Sequence, residues 1–281
     1  MDVFGRNLVP SFHYSICYNI CMADFVFIRK TRNMASSAVH VFLNILLGLG
    51  AVLITVFSGN PVLGIILVLV SKWRIFAVRS RYLWLNIKSN LVDLIVGISV
   101  VLISYYSGGS LAPVHFILAA GYTIWLLFIK PMSSETATLV QSLIAVFLGI
   151  TATSIMTANQ DALLAVFTAF LVGYAASRHV LAQTNDQDFT LTTLVCGLVF
   201  AEVAWLCHNW AIIYTFGATG IRIPQVAIIL TIFAFIYNYA RQAMIKYQDD
   251  FRFKHIIGPV VFGVLLVSII VLWFSNPIFN I

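Results

Sequence analysis

The chain has 281 residues, of which 61% are hydrophobic and 9% are charged, and its mean hydropathy is +0.97. Soluble domains carry about 25% charged residues, so this composition excludes an ordinary globular enzyme. The net charge of +6 does not indicate nucleic acid binding, because the basic residues lie at the ends of apolar segments. The composition predicts an all-α polytopic transmembrane helix bundle, with the lipid bilayer and its anionic head groups as partners.

Residues 1–33 are the one sizeable stretch before the apolar segments, and they are predicted to form a cytoplasmic N-terminal tail. The tail contains no apolar core long enough for a cleavable secretory signal. Met22 is a second candidate start, in which case residues 1–21 are not native. Residues 34–281 are predicted to form a single transmembrane helical domain.

The tail also contains His13, Cys17 and Cys21 at intervals of four residues, a spacing that invites a metal-site interpretation. On a helix the first and last of these would lie about 12 Å apart, too far to share one ion. Cys196 and Cys207 fall on one predicted helix, roughly 16 Å apart, which excludes a disulfide between them. The sequence therefore predicts no metal site and no cofactor.

About nine apolar segments follow the tail, each compared with the roughly 20 residues that cross a bilayer. They cover residues 38–57, 61–78, 88–106, 113–130, 136–157, 161–181, 189–211, 223–241 and 256–274. The second segment is the weakest, because its uninterrupted apolar part covers only residues 62–70. It crosses only if residues 75–78 are included and the Lys72 and Arg74 side chains extend towards the cytoplasm.

The basic residues are distributed unevenly between the connections. Of the 16 Lys and Arg residues, all except Arg222 fall in alternate connections, on one side of the predicted membrane. Short basic loops stay in the cytoplasm. The pattern therefore predicts a multi-pass protein of the inner (plasma) membrane, with its N-terminus in the cytoplasm and its C-terminus outside.

An internal repeat relates the first two predicted hairpins, because Leu43–Gly59 aligns with Val92–Gly108. The matches include two glycine pairs and two polar pairs, which are Gly48 with Gly97, Gly59 with Gly108, Thr55 with Ser104, and Asn44 with Asp93. A fainter third copy contains Gln141. We interpret the chain as three repeated hairpins plus three further helices, an arrangement common in transporters but also found in proteins that transport nothing.

Asp93 is an ionisable residue about one and a half turns inside the third predicted helix. Arg74 and Lys72 lie at a similar depth from the same face, near the end of the second helix. One interpretation is a cytoplasmic ion pair that neutralises Asp93 and fixes two helices together. The other is a cytoplasm-facing polar pocket for an anion or a lipid head group.

Glu202 lies near the middle of the seventh predicted helix, among apolar residues. Asn209 shares its face, whereas His208 points roughly 120° away. A carboxyl group facing a wet cavity suits proton coupling or cation binding, so these three residues are the candidate substrate or ion site. The alternative is a neutral carboxyl group hydrogen-bonded to a neighbouring helix. The amide side chains suited to that bond are Asn44, Gln141 and Asn238.

Several enzyme classes leave no trace in the sequence. Every Lys lies at or near the cytoplasmic end of a predicted helix, which argues against a retinal-binding protein, and the chain contains neither GxSxG nor HExxH nor a Gly-rich phosphate loop. The chain is therefore predicted not to be an enzyme, with an intramembrane enzyme acting on lipid as the remaining enzymatic interpretation.

Three stretches carry a resemblance to a known family: Ser71–Trp84, Asn90–Gly97 and Met22–Lys30. They resemble a family of uncharacterised multi-helix integral membrane proteins of Saccharibacteria-type bacteria. The resemblance implies a bacterial inner-membrane location and Met22 as the initiator, and it assigns no activity and no site residues.

Two functions follow from these observations as expectations. The first is binding or transport of a small solute, ion or lipid, with Glu202 and Asn209 forming a central polar site and Asp93 with Arg74 a cytoplasmic gate or brace. The second is a non-catalytic membrane scaffold or complex component whose polar groups only hold helices together. An oligomer or a membrane-protein partner is compatible with both.

Overall fold

The computed structural model describes residues 38–108, 110–182, 188–209, 212–216, 219–247 and 252–274. Across these ranges the fold is all-α, with one short pair of strands. Residues 46–281 form one compact unit, and the described residues 38–45, which begin the first helix, belong to the other unit. The predicted tail, with Met22 and the His13, Cys17 and Cys21 spacing, lies outside the described residues.

The first half of the chain is a series of apolar helices with one amphipathic helix among them. In chain order the elements are α1 (Ala38–Ser58), α2 (Pro61–Ser71), α3 (Trp73–Phe76), α4 (Ser80–Ser89), α5 (Leu91–Tyr106) and α6 (Pro113–Ile124), which continues as a π-helical turn (Trp125–Ile129). Pro61 occupies the first turn of α2, where its missing N–H is not needed, and the Asn60 side chain caps that turn by accepting from Val62 N at 2.9 Å.

The second half contains the longest helices and the strands. The elements are α7 (Glu135–Thr157), α8 (Ala162–Leu181), α9 (Phe189–His208), β1 (Ile213–Phe216), β2 (Ile221–Pro224), α10 (Gln225–Tyr247), a 3₁₀ turn (Phe253–His255) and α11 (Ile257–Trp273). Ser134 caps α7 by accepting from Ala137 N at 3.2 Å, and Glu135 places negative charge in its first turn.

Within the described residues, five helices are long and apolar enough to cross a membrane: α1, α7, α8, α9 and α10. A sixth span results if Arg81–Ser89 and Leu91–Tyr106 are one span, although they are bent by 63°. Shorter apolar helices, α2, α6 with its π turn, and α11, occupy the remaining predicted segments. These lengths and compositions are those of a membrane protein.

The second and third predicted segments differ from the structure. Segment 61–78 is broken, because α2 ends at Ser71 and the four-residue α3 follows only after Lys72. Segment 88–106 begins at a bend beside Asn90, whose side-chain amide donates to Asn86 O at 2.9 Å. Polar and basic residues interrupt the apolar run at both places, so a straight continuous helix would bury them in apolar surroundings.

An antiparallel pair of strands connects α9 to α10 and was not predicted from the sequence. Ile213 pairs with Pro224 and Phe216 with Ile221. The segments are rich in β-branched and aromatic residues, which favour strands. Gly220 has a φ of +73°, a conformation that suits glycine, and it allows the chain to reverse before β2.

Two buried apolar clusters hold the helices of the larger unit together. The first joins residues of α1, α2, α5 and α6, including Val52, Val68, Val96, Val101 and Tyr122. The second joins α7, α8, α9 and α10, including Val146, Val172, Phe200 and Leu230. Two helices link the clusters: Ile95 of α5 packs against both, and α7 contributes Ala145 to the first and Val146 to the second.

Small residues set the spacing between α8 and α9. A stripe of small residues along α8, Ala165, Ala169, Gly173 and Ser177, is buried along its whole length. A Cβ atom added at Gly173 would lie 2.5 Å from Cγ of the fully buried Phe200. The close approach of these helices therefore requires glycine at this position.

Candidate functional site

The ends of α2, α5 and α6 meet at the carboxylate of Asp93, which lies in the first turn of α5. Lys72 Nζ contacts Oδ2 of this carboxylate and donates to the Asp93 backbone carbonyl at 3.1 Å. Lys130 Nζ lies 2.7 Å from the same Oδ2. The indole Nε1 of Trp125 donates to Oδ1 at 3.0 Å. We call these four residues the Asp93 cluster.

The π-helical turn at the end of α6 brings two members of the cluster together. Lys130 N donates to Trp125 O at 2.8 Å, so these two residues lie one above the other on the helix. In a regular α-helix, residues five apart point in different directions. The wider turn therefore allows the indole and the ammonium group to reach the same carboxylate.

The charges of the cluster are unequally buried. Asp93 is 7% exposed and Lys72 is 6% exposed, whereas the side chain of Lys130 is 43% exposed. A buried carboxylate requires a nearby cation, and Lys72 provides one of matching burial. With Lys130 included, the cluster carries one net positive charge. Lys130 is consequently the member of the cluster whose ammonium group is accessible to a further anion.

Gln141 and His179 support the same end of α6. The Gln141 side-chain amide donates to Ile129 O at 2.6 Å and to Met132 O at 2.9 Å, which satisfies carbonyls at the end of the π turn. Because its Oε1 can only accept, Nε2 of His179 donates to it at 2.7 Å. These bonds join α7 and α8 to the segment that carries Lys130.

A groove of about 490 Å³ runs beside the cluster, between α5, α6 and α7, with Thr231 contributing from α10. Its wall includes the buried Val96, Tyr122 and Trp125, and its rim includes Ile117, Ile124 and Phe147. The lining is almost wholly apolar, and the Thr231 hydroxyl already donates to Ala227 O at 2.7 Å. We call this cavity the α6 groove.

The α6 groove follows α6 lengthwise and ends beside the Asp93 cluster. Its lining extends from Ile117 to Ile129, which is about 18 Å along a helix axis. Trp125 belongs to both features, since its ring lines the groove and its Nε1 binds Asp93. Lys130 directly follows Ile129. The apolar α6 groove and the half-exposed ammonium group of Lys130 are thus adjacent.

Glu202, Asn209 and His208 do not converge on a common site. Glu202 and Asn209 are exposed on the surface of α9 and at its C-terminal end, and neither lines the α6 groove. His208 is half-buried, with Nε2 3.2 Å from Gln160 O. No described residue forms a hydrogen bond or an ion pair with Glu202, so it lies neither in an internal cavity nor in dry helix packing.

Two of the amides considered as partners of Glu202, Gln141 and Asn238, do not bind it. Gln141 is engaged with α6 and His179. Asn238 is fully buried in α10, and within the described part of the chain its side-chain amide has no hydrogen-bond partner. The presence of a carboxyl group at position 202 is therefore not explained by a hydrogen bond to Gln141 or Asn238.

The sequence drew attention to Asp93, Lys72 and Arg74 but did not single out Lys130 or Trp125. Arg74 lies in α3, and its side chain is outside the described part of the structure. In the sequence Lys130 directly precedes Pro131, a position typical of a helix end. Its position at the end of an aromatic segment, at the same predicted depth as Asp93, was the available signal.

Among the described residues, no group of three His, Cys, Asp or Glu side chains is arranged to hold a metal ion. Comparisons of the chain with protein-family models, with curated proteins and with solved structures give no match. The resemblance suggested by Ser71–Trp84 therefore stays a prediction, and the site has to be interpreted from its own geometry.

Proposed function

We propose that this integral membrane protein binds an anionic lipid, with an acyl chain in the α6 groove and the head group at Lys130. The observation that supports the proposal is the adjacency of the two features: an apolar groove about 18 Å long ends beside a half-exposed lysine. Binding rather than chemistry is proposed, because the hydroxyl groups of Tyr122 and Thr231 have no acid or base beside them among the residues that line the groove.

The lining favours an acyl chain over an ion or a polar solute. Ligand sites of 300–1,000 Å³ usually combine an apolar wall with a few convergent polar groups. The α6 groove has the volume but lacks the convergent polar groups along its length. A polar solute would lose its hydration without replacement hydrogen bonds, whereas a hydrocarbon chain would lose nothing comparable.

The charge at the end of the groove favours an anionic head group. Lys72 is buried against Asp93, so one cation of the cluster already balances the carboxylate. Lys130 also contacts Asp93, yet much of its side chain remains accessible. A phosphate group of a lipid would therefore meet a net positive charge at the level where the apolar groove ends.

The side chains of helix α4 are further evidence that the lipid head groups lie near the Asp93 cluster. Its aromatic and basic side chains pair along its surface, with Arg81 over the Tyr82 ring at 4.4 Å and Lys88 over the Trp84 ring at 5.0 Å. Such residues are typical of membrane interfaces. The 63° bend before α5 separates this amphipathic segment from the apolar helix that follows.

We further propose nine crossings, with the basic connections and the N-terminus in the cytoplasm of a bacterial cell and the C-terminus outside. Three repeated hairpins are part of this proposal. The matched glycines Gly59 and Gly108 both have positive φ, at 60° and 116°. The matched Thr55 and Ser104 are both fully buried, and each donates to the carbonyl four residues earlier at 2.7 Å.

The test is a substitution that fills the α6 groove and leaves the fold intact. At Gly121, which lines the groove, an added Cβ would meet no atom within 4 Å, and the same is true of Gly258 in α11. We expect Gly121→Leu to lose bound phosphatidylglycerol, measured by native mass spectrometry of the full chain released from detergent, while Gly258→Leu retains it. Wild-type retention by Gly121→Leu would refute the proposal.

A second candidate function is a non-catalytic membrane component. It is favoured by the completeness of the Asp93 cluster, which suits a structural brace between α2, α5 and α6. In that case Lys130→Gln would lower stability without changing lipid retention. The lipid-binding proposal instead expects Lys130→Gln to retain phosphatidylcholine but to lose the preference for phosphatidylglycerol.

A further inference from the structure

Helix α9 presents a continuous row of exposed side chains that the lipid-binding proposal does not use. The row consists of Leu191, Val195, Leu198, Glu202, Trp205 and Asn209, which we call the α9 seam. Its residues recur at alternating intervals of four and three, which is the spacing of a helix face that packs against one other helix.

The opposite face of α9 is already occupied. Cys196 and Phe200 pack in the cluster shared with α8 and α10, and Gly197 is buried on the same side of the helix. A Cβ atom added at Gly197 would lie 3.0 Å from the Phe170 ring, so this contact is close. Leu191 and Val195 border a groove beside α10, and the rest of the seam faces away from the chain's own described helices.

Glu202 distinguishes the seam from an ordinary lipid-facing surface. It lies six residues, or about 9 Å, before the end of α9, with Leu198 on one side and Trp205 on the other. A carboxyl group that faces hydrocarbon is unfavourable and is usually turned towards protein or water. A second helix covering the seam would remove this exposure.

The two polar residues of the seam are suited to pairing with themselves. An amide such as that of Asn209 contains both donors and an acceptor, and two carboxyl groups that share one proton form a hydrogen bond. The seam contains no Lys or Arg, so two copies would not bring fixed positive charges together. In a parallel pair about a two-fold axis, each seam residue lies opposite its own copy.

We propose that the α9 seam is a homodimer interface in the membrane, in which Glu202 and Asn209 of one copy hydrogen-bond to the same residues of the second copy. Leu191, Val195 and Leu198 supply the apolar contacts, and Trp205 packs beside the paired carboxyl groups. This inference is independent of the α6 groove, since no seam residue lines it.

The test measures association of the full chain in phosphatidylcholine vesicles. Copies labelled at the C-terminus with donor or acceptor dyes are diluted with lipid, and energy transfer reports the dimer fraction. We expect Glu202→Leu to weaken association about three- to tenfold, because it removes an interhelical hydrogen bond. Glu202→Gln keeps a donor and an acceptor and should stay within about twofold of wild type.

Trp205→Ala has a matched control in Trp273→Ala, since Trp273 is also exposed but ends α11. We expect only Trp205→Ala to weaken association. The inference is overturned if wild type shows only random-encounter transfer at every dilution, or if Glu202→Leu associates like wild type. It is also overturned if Glu202→Gln weakens association as much as Glu202→Leu, or if both tryptophan variants behave alike. Protection of the buried Cys196 thiol verifies that each variant is folded.

Discussion

Replacing Asp93 by asparagine removes the one negative charge of the Asp93 cluster and leaves Lys72 buried without a counter-ion. The Lys72 ammonium group would keep only uncharged acceptors at this position, the backbone carbonyl at 3.1 Å and the oxygen of the introduced amide. Removing one partner of a buried ion pair destabilises proteins by about 3–5 kcal/mol. We expect Asp93→Asn to fall in this range, since Lys130 would also remain as a second positive charge nearby.

Removing the cation of the pair should destabilise the protein less than removing the carboxylate. Lys72→Met leaves Asp93 in contact with Lys130 at 2.7 Å and with the Trp125 indole at 3.0 Å, so the carboxylate keeps two partners. The double variant Asp93→Asn with Lys72→Met removes both buried charges and should regain much of the stability that Asp93→Asn loses.

The assay for these variants uses a reporter that the protein already contains. Cys196 is a free thiol that is 1% exposed, so a thiol-reactive dye labels it only after α9 separates from its neighbours. Labelling is followed in detergent with increasing denaturant, on a background in which the other three cysteines, Cys17, Cys21 and Cys207, are replaced by alanine. If Asp93→Asn unfolds within about 1 kcal/mol of wild type, the cluster does not hold α2, α5 and α6 together.

Two further substitutions test the packing and use the same thiol assay. Trp125→Phe removes the 3.0 Å hydrogen bond to the Asp93 carboxylate and should lower the free energy of unfolding by about 1.5–3 kcal/mol. An unchanged unfolding midpoint would show that the indole does not stabilise the carboxylate. Gly173→Ala would place a Cβ 2.5 Å from the Phe200 ring and should destabilise by about 1–3 kcal/mol, whereas Gly258→Ala, which meets open space, should have little effect. Equal behaviour of the two glycine variants would contradict the close packing of α8 on α9.

The apolar segments could be predicted from the sequence because their lengths match a bilayer. α1, α7 and α8 begin and end within a residue or two of segments 38–57, 136–157 and 161–181. The break after α2 could not be predicted from the sequence, because it depends on the contact between the Lys72 side chain and Asp93. That contact joins residues on different helices, and no local pattern encodes it.

The position of Glu202 could not be predicted for a different reason. Apolar residues occur all round α9, so its sequence contains no stripe that identifies the buried face. A residue near the middle of this helix is therefore predicted to face a cavity or a neighbouring helix inside the bundle. In the structure the packing of Gly197 and Phe200 turns Glu202 to the opposite, exposed face.

The Asp93 cluster also relates the proposed lipid site to stability. If an anionic lipid binds only the folded protein, it stabilises by RT ln(1 + [L]/Kd), about 2.7 kcal/mol at a hundredfold excess over Kd. We expect phosphatidylglycerol to raise the unfolding midpoint of wild type, and Lys130→Gln to lose most of that increase. Lys72 would still neutralise Asp93 in this variant, so its midpoint without lipid should change less than that of Asp93→Asn. An equal increase in wild type and Lys130→Gln would show that the head group does not bind at Lys130, since the half-exposed ammonium group is the only difference between the two proteins.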